Sequence, residues 1–66
     1  MTEIRDYFHK VICKGDPKTG RLDYIDGKRG LSVTLRTDQA VMIQRERSIS
    51  FVTWSPRGFY VDSRPI

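Results

Sequence analysis

Cysteine, histidine and tryptophan occur once each in this 66-residue chain, as Cys13, His9 and Trp54. A single cysteine excludes an internal disulfide. One thiol and one imidazole also fall short of the four ligands a structural zinc ion takes. An odd cysteine is a liability in an oxidising compartment, so a reducing cytoplasm is the expected location. Cys13, between Ile12 and Lys14, reads as a small apolar residue. Long apolar runs are missing too. The longest, Ala40-Val41-Met42-Ile43, is far below the ~20 residues of a membrane span. The opening Met1-Thr2-Glu3-Ile4-Arg5-Asp6 is too polar for a signal peptide. No membrane partner is expected.

A chain this short forms one domain, taken here as residues 1–66. It buries only about 60% of its unfolded surface, so its core is marginal. With disulfides and zinc excluded, self-association is the expected source of further stability.

The net charge of +4 is unevenly placed. Up to Asp26, five basic residues balance five acidic ones; from Gly27 onward there are seven basic against three acidic, so the whole excess lies there. Six of those seven are arginine, whose planar fork suits phosphate. This segregation favours a polyanion-binding face over a merely solvated surface.

Ile4, Tyr7, Phe8, Val11 and Ile12 recur at i, i+3, i+4, i+7 and i+8, which predicts a helix over about 3–14. Thr2 would cap it and Lys14-Gly15 would end it. A competing reading makes Val11 to Lys14 a strand paired with Arg21 to Ile25 across Asp16-Pro17-Lys18-Thr19-Gly20. From Arg21 the period changes to two. Arg21–Ile25, Leu31–Arg36, Ala40–Gln44, Ile49–Trp54 and Phe59–Val61 read as five short strands within about 21–62, joined by turns at Asp26-Gly27, Thr37-Asp38-Gln39, Arg45–Ser48 and Ser55-Pro56-Arg57-Gly58. The expected fold is therefore mainly β: one N-terminal helix, then a strongly bent five-stranded antiparallel sheet curled into a small barrel. Phe51 and Tyr60 are expected in the core or at a subunit interface.

No convergent set of catalytic groups can be assembled. His9 has no second histidine at metal spacing, and the carboxylates stand singly in turns. Gly27-Lys28-Arg29-Gly30 lacks the pattern of a phosphate-binding loop leading into a helix. An enzyme, a metal and a cofactor are all unexpected. What remains is arginine interleaved with aromatics, namely Arg36, Arg45, Arg47, Arg57, Trp54, Phe59 and Tyr60. Such a mixture suits stacked bases and paired phosphates.

The order of elements resembles the Sm-like family, the bacterial RNA chaperone Hfq among its members. Four features carry the likeness: Gly27 closing the first turn, Asp38-Gln39 before the apolar strand Ala40–Ile43, Arg57-Gly58 before the last strand, and the ending Ser63-Arg64-Pro65-Ile66. The family's bacterial Tyr-Lys-His signature falls on Thr53-Trp54-Ser55, so its uridine contacts do not carry over. A looser likeness to the carbon-storage regulators runs from Leu31 to Pro65, through Val41-Met42-Ile43.

The Sm-like resemblance implies an Sm-like small β-barrel that closes into a homo-hexamer or heptamer and binds single-stranded RNA. Asp38, Gln39 and Arg57 would line the pore: Arg57 as charge, Gln39 as a base-edge contact, Asp38 as a loop brace. Arg29, Arg36, Arg45 and Arg47 would add phosphate contacts, and Trp54 an aromatic surface. The contrasting expectation is a protein-interaction module, such as a viral or plasmid factor docking on a host protein by strand addition.

Overall fold

Hydrogen bonding between strands adjacent in sequence organises the backbone into two antiparallel meanders. The computed structural model describes residues 1–26 and 28–66. Gly27, read above as a turn residue, lies outside them. The first sheet orders β1 (Thr2–Arg5), β2 (Val11–Asp16), β3 (Arg21–Asp26) and β4 (Arg29–Thr34) side by side. The second orders β5 (Ala40–Gln44), β6 (Ser48–Ser55) and β7 (Gly58–Pro65). The described residues contain no helix. The mainly-β expectation holds, while the helix over about 3–14 and the single five-stranded Sm-like sheet are replaced by seven strands in two sheets.

The helix fails for local reasons. Asp6 accepts the Phe8 and Lys10 N–H groups at 2.9 and 3.0 Å through Oδ1, which closes a tight loop where a helix would need those donors for its own turns. His9 takes φ of 64°, a left-handed conformation no helix interior accommodates. The apolar stripe is not one face of anything: Ile4 and Ile12 are buried, whereas Tyr7, Phe8 and Val11 are exposed. Gly15 does not stop a helix but lies within β2, where an added Cβ would sit 2.6 Å from the Phe59 ring. The alternative pairing of Val11–Lys14 with Arg21–Ile25 is close to the observed one, in which Cys13 stands opposite Tyr24 and Lys14 opposite Asp23.

The core lies between the sheets and is built of Ile4, Ile12, Cys13, Leu22, Leu35, Ile43 and Val52, with Tyr24, Val33, Val41, Trp54 and Phe59 packed against it. The β1–β2 register slips between Ile4 and Arg5. The resulting bulge leaves Ile12 as the extra residue, so that Ile12 and Cys13 are both buried despite being neighbours. Burial pushes the Cys13 thiol up to about 11, with the Arg45 charge opposing, so it stays protonated at neutral pH.

A polar seam crosses this core. Ser48 and Ser50, both fully buried, point inward from β6. The Ser48 hydroxyl donates to Asp6 Oδ2 at 2.9 Å. Ser50 shares a 2.8 Å bond with Ser63, whose Oγ also accepts the Tyr7 N–H. The β1–β2 loop is thereby fastened to the second sheet, and among the described residues no buried side-chain polar atom lacks a partner.

Candidate nucleic-acid interface

The connections cluster at the two ends of the strands. At one end lie the β2–β3 turn, the β4–β5 connection and the β6–β7 turn. These are tied by the Leu35 N–H to the Gly20 carbonyl at 2.9 Å, and by the Asp38 N–H to the Trp54 carbonyl at 3.2 Å. At the other end lie the β1–β2 loop, the β3–β4 turn and the β5–β6 turn. A six-residue strand such as β3 separates the ends by about 20 Å.

This division splits the residues expected to contact RNA. Arg36, Asp38, Gln39, Trp54 and Arg57 gather at the first end; Arg29, Arg45 and Arg47 belong to the second. Within the first group the structure commits several side chains internally. Gln39 Oε1 accepts the Arg36 N–H at 2.9 Å, which ties the side chain into its own turn. Asp38 sits at φ of 64° in the same turn. The Trp54 indole N–H donates to the Pro17 carbonyl at 2.8 Å, so its ring packs under the β2–β3 turn. Of that group Arg36 and Arg57 present exposed cationic side chains, near the exposed Lys18 of the β2–β3 turn.

Arg45 has a structural task at the second end. The paired register of β2 and β3 stops at Cys13 and Tyr24, and beyond it the strands part. The Arg45 guanidinium fills the gap, donating to the Ile25 carbonyl at 2.8 Å and the Ile12 carbonyl at 3.2 Å. It replaces two missing rungs of the ladder. Arg45→Met keeps the aliphatic stem and removes only these donors. It is expected to lower stability by roughly 1–3 kcal/mol, and urea unfolding identical to wild type would show that the carbonyls are satisfied otherwise.

An open groove of about 1220 Å³ begins at the same gap, lined by Val11, Tyr24, Ile25 and Leu31 from the first sheet, Lys14 on β2, and Gln44, Arg45 and Glu46. A second depression of about 540 Å³ shares Val11, Ile12, Arg45 and Glu46 with it and extends to Phe8, Lys10 and Arg47. Together they make one channel around the β5–β6 turn. Phe8 is 43% exposed and Leu31 38%, so the channel has accessible apolar surface along its length. The ion pairs of the described residues are Glu3–Arg5, Asp23–Arg21 and Asp62–Arg64, which leaves Lys10, Lys14 and Arg47 without a carboxylate partner among those residues. Asp23, the cross-strand neighbour of Lys14 in the groove lining, is held below the usual carboxylate value by its hydrogen bond from Ser32, with burial opposing and Arg21 assisting. The arrangement can neutralise phosphates and stack planar rings. Among the described residues no group of three His, Cys, Asp or Glu is placed to hold a metal ion, and no helix is long and apolar enough to cross a membrane.

The sequence does not single out Phe8, Lys10 and Tyr24 as site residues, because the helix reading places the first two on one element and Tyr24 in a strand. The competing strand reading contains part of the signal: pairing Val11–Lys14 with Arg21–Ile25 sets Cys13 beside Tyr24 on one face and Lys14 beside Asp23 on the other.

Fold and site together define a small two-sheet antiparallel β protein with a basic, partly aromatic channel at one end. The chain matches no protein-family model, no curated protein and no solved structure.

Proposed function

We propose that this chain is a non-enzymatic binding protein for single-stranded RNA, and that the channel around the β5–β6 turn is where the strand lies. The observation that carries the reading is the company of Lys10 and Arg47 with the exposed ring of Phe8 in the depression beside the β5–β6 turn. Cations satisfy phosphates, and aromatic rings stack on unpaired bases, which a duplex keeps in its own stack. Arg29, at the start of β4, adds charge at the same end. The ring of six or seven subunits is what the Sm-like resemblance implies; the channel is formed within one chain and its binding does not require a ring.

Binding to a labelled oligouridine is expected to weaken as salt rises, with each neutralised phosphate adding about −0.7 to the slope of log affinity against log salt. Lys10→Ala with Arg47→Ala should cost roughly one to two decades in affinity and make the slope shallower by about 1.4. Arg36→Ala with Arg57→Ala, at the opposite end, should change affinity by less than threefold. Reversed results would move the site to the Arg57 end, and no binding at low salt would end the RNA reading.

Strand addition to a protein partner is the second reading, favoured by β7. It pairs with β6 alone and leaves an eight-residue edge open. Affinity that is insensitive to salt and held by a peptide rather than an oligonucleotide would select it.

A further inference from the structure

We propose that the outer face of the β5–β6–β7 sheet is a docking surface for a second copy of this chain. Strand β6 is patterned opposite to the usual rule for a half-buried strand. Its inward positions include Ser48 and Ser50, both fully buried, while Ile49 and Phe51 point outward. The ladder sets Met42 opposite Phe51 and Thr53 opposite Tyr60, so the outward side chains of all three strands form one patch. Met42 is 53% exposed, Phe51 40% and Tyr60 57%. A contiguous apolar face of this kind on a small domain marks an interaction surface.

The charges on this face select the occupant. Its ionic groups are Asp62 and Arg64, two residues apart on β7, joined by a 3.5 Å contact and both largely exposed. The chain as a whole carries +4, yet this face sums to zero, so two like-charged molecules can meet here without repulsion across it. A patch bearing one group of each sign is also self-complementary. Under a two-fold axis each Asp62 can face the Arg64 of the second copy, the isologous arrangement expected of a homodimer. A nucleic acid is disfavoured, because Asp62 stands directly opposite Phe51 in the ladder and puts a carboxylate beside the ring that a base would use. Two such sheets would stack face to face at about 10 Å. A dimer held by one such face is concentration-dependent.

Sedimentation equilibrium from micromolar to millimolar protein tests this. The wild type is expected to move from the monomer toward the dimer mass, and Phe51→Lys to remain monomeric with its circular dichroism unchanged. Asp62→Arg and Arg64→Asp should each weaken association at least tenfold, and the double exchange should restore it to within about threefold of wild type. The exchange decides the matter if Phe51→Lys does not fold. Lys10→Ala with Arg47→Ala should dimerise normally, which separates this surface from the RNA channel. A wild type that stays monomeric to millimolar concentration, a dimer indifferent to Phe51→Lys, or a double exchange that fails to restore association would overturn the proposal. So would a monomer whose oligouridine binding is lost in Tyr60→Ala, since that would make the face an RNA platform.

Discussion

Replacing Asp6 by alanine is expected to destabilise the protein by roughly 2–4 kcal/mol at neutral pH, an effect far larger than its place in a surface loop suggests. The carboxylate is the hub of the β1–β2 loop, receiving the Phe8 and Lys10 amides and the hydroxyl of fully buried Ser48. Alanine leaves that hydroxyl without its acceptor and removes one of the two side-chain ties between the loop and the second sheet, the Tyr7 N–H to Ser63 Oγ bond remaining. The same residue makes stability depend on pH. Burial alone would raise its pKa, but the Lys10 amide, the Ser48 hydroxyl, the Phe8 amide and the Lys10 ammonium outweigh it and hold the group below its ordinary value of 3.8. A carboxylate with a lowered folded-state pKa stabilises the fold fully above the unfolded-state value, and that contribution is lost as pH falls through the folded one. Wild type should therefore lose stability below about pH 4, and the gap between it and Asp6→Ala should narrow there. Asp23, also lowered, titrates in both proteins and cancels in the difference. Urea unfolding at pH 7 and pH 3 measures this; a gap that is small at pH 7, or unchanged at pH 3, would contradict the role given to Asp6.

Gly20→Ala is expected to cost a similar roughly 2–4 kcal/mol, from two sources that add. Gly20 ends the β2–β3 turn at φ of 81°, where an L side chain is strained. An added Cβ would also lie 2.6 Å from the Leu35 carbonyl oxygen and 2.8 Å from the Trp54 ring. The first of these is backbone, fixed by the Leu35 N–H bond to Gly20 itself, so it cannot step aside. Gly30→Ala is the contrast, because nothing lies within 4 Å of its Cβ position. In a strand the alanine should be neutral or slightly stabilising there, by up to about 1 kcal/mol. Thermal melts that placed the two variants together would refute the crowding at Gly20.

The sequence by itself determined the strands after Arg21, because alternation with a period of two and the turn residues between the strands are local signals. Ala40–Gln44 is recovered with its bounds, and the turn at Pro56-Arg57 falls between Ser55 and Gly58 as its residues require. The sequence also determined that the positive excess lies in the second half. What only the tertiary structure decided is which apolar residues are inside. The spacing of Ile4, Tyr7, Phe8, Val11 and Ile12 fits a helix as well as it fits two strands around a loop. The choice fell to Asp6, whose carboxylate closes the loop and takes the hydroxyl of Ser48, 42 residues away, and to His9 with its left-handed backbone. The fates of Arg45, Gln39 and Trp54 were equally hidden. Each looks like a ligand-binding side chain in the sequence, and each is spent on a backbone group brought to it from a distant or folded-back segment. Ser48 and Ser50 facing inward while Phe51 faces out reverses what hydrophobicity predicts for one strand. The reversal follows from a polar seam that exists only once the two sheets have met.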